Sequence, residues 1–402
     1  MDNINQHSNL SFYGLGIAPG ILAILEKIHY TTPTPIQHQS IPIAIEGKDI
    51  VGIAQTGTGK TLAFGIPMIQ RLAIAKGMGL ILLPTRELAL QIDVELRKIG
   101  NSLGLRTAIL IGGVPIGPQK EAIRRNPHVI IATPGRLIDH LHQRTVSLQK
   151  VNILVLDESD RMLDMGFLPQ ISEILKMVPK NRQTMLFSAT ISPEIMKIAS
   201  SNMKLPIRVE IAPAGTTVDS VLQDIFIIAR DAKMRLLEKV LNQYKGSTLI
   251  FVRTKYGAHR LARALKTMGY SAIEIHSNCS FAQRKSALEG FKAGRYRVLV
   301  ATDIMARGID VVGIELVINY DLPMQAEDYV HRIGRTARAG KEGHAISFVT
   351  PSEQGEIRAI EWLIRKKLNV STLPEFPTKQ FAKPRLVYSS AKYRRRRLGR
   401  KR

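Results

Sequence analysis

The sequence contains little cysteine, few acidic residues and no long apolar run, and each shortage excludes a class of protein or points to a partner. Cys279 is the only cysteine among 402 residues, which excludes an internal disulfide and a zinc site built from several cysteines. No apolar run reaches the roughly 18 residues that a membrane-spanning helix needs, so we expect no membrane partner. The opening residues, MDNINQHSNL, lack the basic start of a secretory signal, which predicts a soluble, cytoplasmic protein.

Acidic residues are scarce beside basic ones, 33 against 57, and the formal net charge is +24. Such a surplus favours a polyanionic partner, above all nucleic acid, because clustered Lys and Arg neutralise phosphates and release counterions. The alternative is that the basic surface merely keeps the protein soluble. Residues 381–402 contain ten Lys and Arg and no acid, so we expect a disordered basic tail from residue 371 onward.

The remaining composition is that of a folded protein, because 45% of residues are apolar, 22% are charged, and the length suits two or three domains. Short apolar, β-branched runs alternate with amphipathic segments, which predicts parallel sheets covered by helices on both faces. Two such series flank the small-residue segment APAGTTVDS, so we predict an α/β chain with two tandem parallel-sheet domains. The predicted parts are an N-terminal segment (1–40), a first domain (41–211), a linker (212–220), a second domain (221–370) and the basic tail (371–402).

A glycine-rich segment lies between a predicted strand and a predicted helix of the first domain. It consists of Ala54, Gln55, Thr56, Gly57, Thr58, Gly59, Lys60 and Thr61. The backbone N–H groups of such a turn cradle phosphates, the lysine neutralises them, and the threonine hydroxyl holds Mg²⁺. Ala54 stands where the strict phosphate-loop pattern has glycine, and a chance loop is the alternative. We predict a nucleotide site here, and the sequence after residue 218 contains no second phosphate loop.

A pair of acids, Asp157 and Glu158, ends the apolar run NILVLD in the same domain. In nucleoside triphosphatases a carboxylate at this place holds Mg²⁺, and a neighbouring carboxylate polarises the attacking water. Paired acids after a strand also cap helices, which is the alternative interpretation. Because the phosphate loop lies in the same domain, we predict Asp157 and Thr61 as metal ligands and Glu158 as the residue that activates water.

At this point the sequence resembles a known family. The tetrad DESD at residues 157–160 is similar to the signature of the DEAD-box RNA helicases, with serine in place of alanine, and further motifs follow in the family's order over roughly residues 12–350. The segment TTPTPIQ, ending at Gln37, resembles the family's adenine-recognising motif, and Phe12 lies where the family has an aromatic that stacks on adenine. A Gln amide can bond both the donor and the acceptor edge of adenine, which favours ATP over GTP. The chain most resembles the bacterial RhlE-type proteins.

The resemblance also implies roles for residues in both domains. In the first domain it implies RNA contacts by Pro84, Thr85, Arg86, Gly113, Thr133 and Arg136, and coupling of hydrolysis to strand separation by Ser188 and Thr190. In the second domain it implies that Thr302 contacts RNA, that Asp310 reaches the nucleotide and that His331 faces the coupling residues. Arg335 and Arg338 would act as arginine fingers that stabilise charge during γ-phosphoryl transfer; the alternative is a solvated basic helix face.

The resemblance therefore implies two RecA-like domains that share one ATP and Mg²⁺ site, and an RNA helicase that couples ATP hydrolysis to local duplex unwinding or ribonucleoprotein remodelling. Contacts to the RNA backbone imply little sequence specificity. The rival interpretations are a non-enzymatic, ATP-gated RNA clamp or annealing scaffold and a DNA translocase. The complete catalytic set argues against the first, and Gln37 with the tetrad argues against the second. Ribosomal-assembly or RNA-decay complexes are the partners that the resemblance suggests.

Three features outside these motifs carry smaller predictions. Ile357, Ile360, Ile364 and Leu368 recur at helical spacing and predict a packing face on the second domain. Phe281 stands where many family members have glutamine, which leaves the RNA contacts of that segment open. Cys279, in the same segment, is interpreted as an incidental thiol because the sequence identifies no acid–base partner for it.

Overall fold

The computed structural model describes residues 10–54, 57–211, 221–303, 313–336 and 343–372 of the chain. These residues form two seven-stranded sheets, and helices cover them. Within the described ranges, no helix combines the length and the apolar character that crossing a bilayer requires.

The first sheet is parallel, with the strand order β3-β4-β2-β5-β6-β1-β7. Its strands are β1 (Ile50–Ile53), β2 (Met78–Leu82), β3 (Thr107–Leu110), β4 (Val129–Ala132), β5 (Val151–Leu156), β6 (Gln183–Ser188) and β7 (Ile207–Glu210). Apolar cores on both faces bury the central strands, as expected for strands rich in Ile, Leu and Val. The register pairs Ile53 of β1 with Ser188 of β6, which brings the loops after these two strands side by side.

Helices connect these strands, and most begin with an identifiable signal. They are α1 (Pro19–Lys27), α2 (Pro35–Ile45), α3 (Lys60–Ile74), α4 (Arg86–Gly100), α5 (Ile116–Arg124), α6 (Pro134–His142), α7 (Ser159–Asp164), α8 (Leu168–Met177) and α9 (Pro193–Asn202). Five of them carry proline in the first turn, where the missing N–H would have no intrahelical partner in any case. The hydroxyls of Thr85 and Ser192 cap α4 and α9 by accepting backbone N–H groups.

The second sheet is also parallel, with the strand order β10-β11-β9-β12-β13-β8-β14. Its strands are β8 (Val221–Ile227), β9 (Thr248–Phe251), β10 (Ala272–Ile275), β11 (Val298–Ala301), β12 (Leu316–Asn319), β13 (Gly343–Val349) and β14 (Asn369–Val370). Its helices are α10 (Lys233–Gln243), α11 (Lys255–Thr267), α12 (Phe281–Lys292), α13 (Ala326–Ile333) and α14 (Gln354–Ile364). If the strands of each sheet are numbered in the order in which they occur in the sequence, the two sheets have the same strand order. The prediction of two tandem parallel-sheet α/β domains is confirmed.

The end of the second domain agrees with the predicted packing face. Ile357, Ile360 and Ile364 of α14 are buried, and Leu368 packs beside them although the helix ends at Ile364. Ser371, where the tail is predicted to begin, still donates its backbone N–H to the carbonyl of Ile225 in β8. The linker (212–220) and residues 373–402 of the basic tail lie outside the described residues, so those two assignments stay predictions.

Candidate active site

Two positions in the loop after β1 have a backbone conformation that only glycine adopts without strain. Gly57 and Gly59 have φ values of +89° and +88°, in the left-handed region. A Cβ on Gly59 would overlap the amide nitrogen of Gln37, so this position also requires glycine because of a close neighbour. The loop leads directly into α3, a helix of 15 residues, whose first N–H groups and positive dipole end face the cavity described below.

Gln37 links the start of α2 to this loop. Its Oε1 accepts the backbone N–H of Thr34 at 2.9 Å, and its Nε2 donates to the carbonyl of Gly59 at 3.0 Å. The amide can still accept and donate one further hydrogen bond each. Phe12 is buried and lines the same cavity as Gln37. The two residues predicted to recognise adenine therefore lie beside the glycine-rich loop.

Lys60, Asp157 and Glu158 form a buried charged group at the carboxyl ends of β1 and β5. All three are less than a tenth exposed. Lys60 Nζ donates to the carbonyl of Ala54 at 3.0 Å, and Asp157 Oδ1 accepts the backbone N–H of Glu158 at 2.9 Å. Burial raises the pKa of Asp157 to about 6, and the negative charge of Glu158 adds to this effect, whereas Lys60 opposes it. A cation bound here would therefore stabilise the charged form of the Asp157 carboxylate.

Glu158 has a strained backbone. Its φ of +50° and ψ of +51° lie in the left-handed region, which costs a residue with a Cβ of the order of 1 kcal/mol or more. This conformation lets the chain turn from β5 into α7 across only two residues, Asp157 and Glu158. The strain is therefore located at the position of the predicted water-activating carboxylate.

A cavity of about 830 Å³ joins these groups to the second domain. Its first-domain wall includes Lys60, Thr61 and Asp157, and its second-domain wall includes Glu289 and Lys292 of α12 together with Arg335. Arg335 lies two residues after the end of α13, is 3% exposed, and donates from Nε to the carbonyl of His331 at 3.2 Å. One cavity therefore brings together residues that lie far apart in the sequence.

Asp160 connects the tetrad to the loop after β6. Its Oδ2 accepts hydrogen bonds from the backbone N–H groups of Ala189 (3.1 Å) and Thr190 (2.9 Å) and from the Thr190 hydroxyl (3.1 Å). In return, the backbone N–H of Asp160 donates to the hydroxyl of Ser188 at 3.2 Å. Burial alone would raise the pKa of Asp160, but the charges of His331 and Lys60 and the backbone hydrogen bonds hold it below its ordinary value.

The same carboxylate lies at the boundary between the domains. A second, much smaller cavity is lined by Lys60, Glu158 and Asp160 from the first domain and by His331 and Arg335 from the second. Among the charges that lower the pKa of Asp160, that of His331 has the largest effect. The predicted coupling residues Ser188, Thr190 and His331 are thus brought together around Asp160, which the sequence analysis did not select.

Arg332 fixes the helix that carries His331. Its guanidinium forms two bonds to the Asp303 carboxylate, at 2.6 and 2.8 Å, and a third to Asn319 Oδ1 at 3.0 Å. It also donates to the carbonyl of Asp321 and lies over the Phe251 ring, 5.0 Å from its centroid. Since Arg332 is 1% exposed, it acts as an internal clamp between α13 and the strand ends.

Comparison with known proteins agrees with this geometry. The DEAD/DEAH box helicase family model matches residues 34–198, and the model of the helicase conserved C-terminal domain matches residues 232–340. ATP-dependent rRNA helicase RRP3 of Debaryomyces hansenii is 43% identical over 362 residues, which cover 89% of this chain and 76% of the relative. The chain belongs to the DEAD-box family of ATP-dependent RNA helicases.

A bacterial relative and a solved structure extend the comparison of this DEAD-box protein. The DEAD-box ATP-dependent RNA helicase CshA of Bacillus cereus is 41% identical over 380 residues, covering 94% of this chain and 72% of the relative. S. cerevisiae Dbp5 bound to RNA and ADP BeF3 has a TM-score of 0.81 at 30% identity, covering 90% of this chain and 96% of that one. The predictions of two RecA-like domains and of an ATP-hydrolysing, RNA-binding helicase are confirmed.

The predicted RNA-contacting residues of the DEAD-box domain follow neighbouring strands. Arg86 begins α4 after β2, Gly113 follows β3, and Arg136 lies in the first turn of α6 after β4. The Arg86 guanidinium lies against the backbone of Gly113, where a Cβ would overlap it, and Arg136 Nη1 donates to the carbonyl of Val114 at 3.1 Å. Burial and the positive charges of Arg284 and Arg136 lower the pKa of Arg86, so these arginines repel one another. A phosphate group placed here would relieve that repulsion.

The other predicted RNA-contacting residues lie at strand ends as well. Thr85 and Thr133 are the residues before α4 and α6, and both are buried. Pro84 lies between β2 and Thr85, and Thr302 follows β11 in the second domain. Gln55, Thr56, Asp310 and Arg338 lie outside the described residues, so their predicted roles stay predictions.

A further contact between the domains lies beside this row of arginines. Arg284 of α12 is paired with Glu87 of α4, with 3.2 Å between Nη2 and Oε1. Phe281, the first residue of α12, packs against the apolar core of the first domain. The residue that replaces the family's usual glutamine therefore contacts the opposite domain, an outcome that the sequence alone does not indicate.

Proposed function

We propose that this helicase hydrolyses ATP in the cavity between its domains and uses closure of the cleft to separate RNA strands locally or to remodel ribonucleoproteins. The single observation that carries this proposal is the composition of the cavity wall. Lys60, Asp157 and Glu158 come from the first domain, and Arg335 comes from the second. Because neither domain alone supplies the full set, catalysis would depend on closure of the cleft.

Thr61 and Asp157 would hold Mg²⁺. The fit rests on Asp157, a buried carboxylate whose pKa burial raises to about 6 and which a bound cation would stabilise in its charged form. Thr61 lines the same cavity and supplies a hydroxyl oxygen, which is a ligand type that Mg²⁺ accepts. When bound, Mg²⁺ would neutralise charge on the phosphate oxygens of ATP.

The chain's own residues would divide the remaining work. The loop backbone at Gly57 and Gly59, the start of α3 and Lys60 would bind the phosphates. Glu158 would orient the attacking water and accept its proton while the oxygen forms a bond to the γ-phosphorus. The bond from that phosphorus to the ADP oxygen then breaks, and Arg335 would stabilise the negative charge on the transferred group.

Coupling to RNA would run through Asp160. Its carboxylate holds Thr190 by two hydrogen bonds and faces His331 of the other domain. Hydrolysis and phosphate release would change the charge beside this group and so weaken the contact between the domains. RNA would be held in the closed state and released when the cleft opens.

The RNA proposed as substrate is structured or duplex RNA recognised with little sequence specificity, because arginines at strand ends suit phosphate oxygens. The name of the RRP3 relatives, rRNA helicase, supports ribosomal RNA as a target. We propose ribosome-assembly complexes as partners, with RNA-decay complexes as the second candidate. We also propose, from the resemblance of its sequence motifs, a relationship to the bacterial RhlE-type members. We further propose that the protein acts in the cytoplasm.

The proposal is tested by Glu158→Gln, which keeps the size of the side chain and removes its basicity. We expect ATP binding to persist, hydrolysis to stop, and an RNA-bound closed state to accumulate in a filter-binding assay with radiolabelled RNA. Glu289→Gln is the matched control, because Glu289 lines the same cavity from an exposed position. Normal turnover by Glu158→Gln would remove Glu158 from the mechanism.

Stimulation by different polymers separates the rival functions. An RNA helicase should hydrolyse ATP faster with RNA than with DNA of the same sequence and length. Equal stimulation by both polymers would favour a DNA translocase, and RNA binding without any hydrolysis would favour a non-enzymatic clamp.

A further inference from the structure

Four side chains that commonly bind transition metals meet at the carboxyl end of β10, away from the ATP cavity. His259 comes from α11, Glu274 from β10 itself, His276 from the residue after β10, and Cys279 from the loop that leads into α12. The nitrogen, oxygen and nitrogen atoms offered by the first three lie within 4.8 Å of one another. None of these residues has a role in the proposed ATP chemistry.

Glu274 and His276 are the two side chains through which the four are in contact. His259 Nδ1 lies 2.9 Å from Glu274 Oε1, and His276 Nε2 lies 3.8 Å from Glu274 Oε2. Cys279 Sγ lies 3.5 Å from His276 Nδ1 and 3.9 Å from His276 Nε2. Glu274 and His276 therefore form the centre of the cluster, with His259 on one side and Cys279 on the other.

The spacings of His259, Glu274 and His276 are close to those of a tetrahedral zinc site. Zinc binds imidazole nitrogen, carboxylate oxygen and thiolate sulfur at about 2.0–2.3 Å, so neighbouring ligand atoms around one ion are about 3.3–3.8 Å apart. The 3.8 Å between His276 Nε2 and Glu274 Oε2 falls in this range, and the His259–Glu274 pair needs to open by only about half an ångström. Cys279 Sγ lies at nearly the same distance from both nitrogens of the His276 ring, so its side chain has to turn toward the other three to become a ligand. Two imidazoles, a carboxylate and one thiol supply the nitrogen, oxygen and sulfur ligands that zinc accepts.

Among the described residues, one oxygen of the cluster is left without a hydrogen-bond donor. Glu274 Oε2 is buried and has no hydrogen-bond partner among the described residues, although the other oxygen of the same carboxylate is bonded to His259. A buried carboxylate oxygen without a donor is unfavourable, and a cation would compensate it. Burial raises the pKa of the Cys279 thiol, and zinc binding would displace that proton to solvent.

We propose that His259, Glu274 and His276 bind one Zn²⁺ ion and that the Cys279 side chain turns toward this ion to supply the fourth ligand. The ion would join α11, β10 and the loop before α12. That loop is followed directly by Phe281 and Arg284, which contact the first domain. Zinc would therefore set the position of the part of the second domain that meets the first domain during closure, without contacting ATP.

Direct metal binding tests the site in the full-length protein. The protein is stripped with a chelator, and Zn²⁺ is titrated in competition with a chromophoric chelator. We expect one equivalent to bind, and Cys279→Ser and His259→Asn each to weaken binding by at least about tenfold, the smallest effect typical even of outer-shell partners. His142→Asn is the matched control, because His142 is paired with Glu173 at 2.9 Å and is as exposed as His259, 64%.

Cobalt provides a readout that depends on the sulfur ligand. Co²⁺ bound to the wild type should show the intense visible bands of a tetrahedral site and a near-ultraviolet thiolate charge-transfer band. Cys279→Ser should lose the charge-transfer band, and His142→Asn should keep it. The proposal is overturned if the wild type binds no Zn²⁺, if all three variants bind it equally well, or if the thiolate band is absent from the wild type.

Discussion

The two domains share one strand order, and at the same place in that order each begins a helix with a buried lysine. Lys60 opens α3 after β1, and Lys233 opens α10 after β8 and a short 3₁₀ turn. In each sheet, an aspartate follows the strand that lies two places from the strand before the lysine. Asp157 follows β5, two places from β1, and Asp321 follows β12, two places from β8. The same scaffold therefore places a lysine and an aspartate near one another twice.

The two pairs differ in how their charges are satisfied. Lys233 Nζ donates to the carbonyl of Tyr320 at 2.7 Å and lies 3.4 Å from Asp321 Oδ1. The other oxygen of Asp321 accepts the backbone N–H of Arg253 at 3.1 Å. In the first domain, the hydrogen bond of Lys60 Nζ goes to the carbonyl of Ala54. Burial raises the pKa of Asp157 to about 6. The second pair is complete by itself, whereas the first is arranged for a charged ligand.

The turn before each helix accounts for this difference. Gly57 and Gly59, with positive φ, open the first turn toward the cavity. The second turn, residues 229–232, contains no glycine and forms a 3₁₀ helix. Lys233, which follows it, donates to the Tyr320 carbonyl at the end of the sheet. The comparison teaches that the fold supplies the position of the charges, and that the loop and the partners decide whether the position binds a nucleotide.

The largest effect we predict comes from replacing the two lysines in turn. Lys60→Ala should lower kcat/KM for ATP by about a thousandfold, near the upper end for removing one preorganised charged or polar donor. Its thermal stability should change little, because the site is arranged for a ligand. The measurement is RNA-stimulated phosphate release together with thermal unfolding.

Lys233→Ala should show the opposite pattern. Removing it leaves the Tyr320 carbonyl without that donor and Asp321 without its cation, which should destabilise the second domain by about 1–3 kcal/mol. ATP affinity should stay within about twofold of the wild type below the unfolding temperature, because Lys233 does not line the cavity. Equal loss of ATP affinity in both variants would break the comparison.

The next effect tests what the second domain adds to the first. Arg335→Ala should lower kcat by about a hundredfold and change ATP affinity far less, because Arg335 reaches the cavity from the opposite wall. Single-turnover hydrolysis at saturating ATP and RNA measures this difference. Arg335→Lys is the control: it keeps the charge but loses the planar fork, so it should recover only part of the rate. Unchanged kcat in Arg335→Ala would show that the first domain is catalytically sufficient.

The sequence predicts the parts of this arrangement that depend on neighbouring residues. Apolar runs identify the strands, and the spacing of Gly57, Gly59, Lys60 and Thr61 identifies the loop, because both features are local patterns. The glycine-rich segment, predicted to lie between a strand and a helix, lies between β1 and α3, and only its last two residues, Lys60 and Thr61, belong to the helix.

Contacts between distant residues could not be predicted in the same way. Asp160 binds Thr190, thirty residues away, and Arg332 binds Asp303, twenty-nine residues away. Neither pair has a local pattern, and only the strand order shows that they meet. The only available signal for Asp160 was its place in the tetrad, and for Arg332 its place between His331 and Arg335.

A smaller effect is expected from Asp160→Asn. The amide keeps the shape but loses the charge that faces His331 and half of its accepting capacity toward Thr190. We expect strand separation to fall about tenfold more than ATP turnover, a loss within the usual range of coupling free energies. Parallel assays of unwinding and phosphate release measure this ratio. Asp164→Asn, on the same small cavity, is the control, and equal losses in both assays would contradict a coupling role for Asp160.

The smallest effect concerns Phe281, whose side chain makes an apolar contact between the second domain and the first. The side chain is only partly buried, so Phe281→Ala should weaken closure by about 1 kcal/mol. That loss corresponds to an increase of about fivefold in the RNA concentration that half-saturates ATP turnover. Turnover at saturating RNA should stay within about twofold, because Phe281 does not line the ATP cavity. Trp362→Ala is the control, since Trp362 is a larger aromatic of the same domain and is 82% exposed. An equal shift in both variants, or none in Phe281→Ala, would show that the apolar contact between the domains does not contribute to closure.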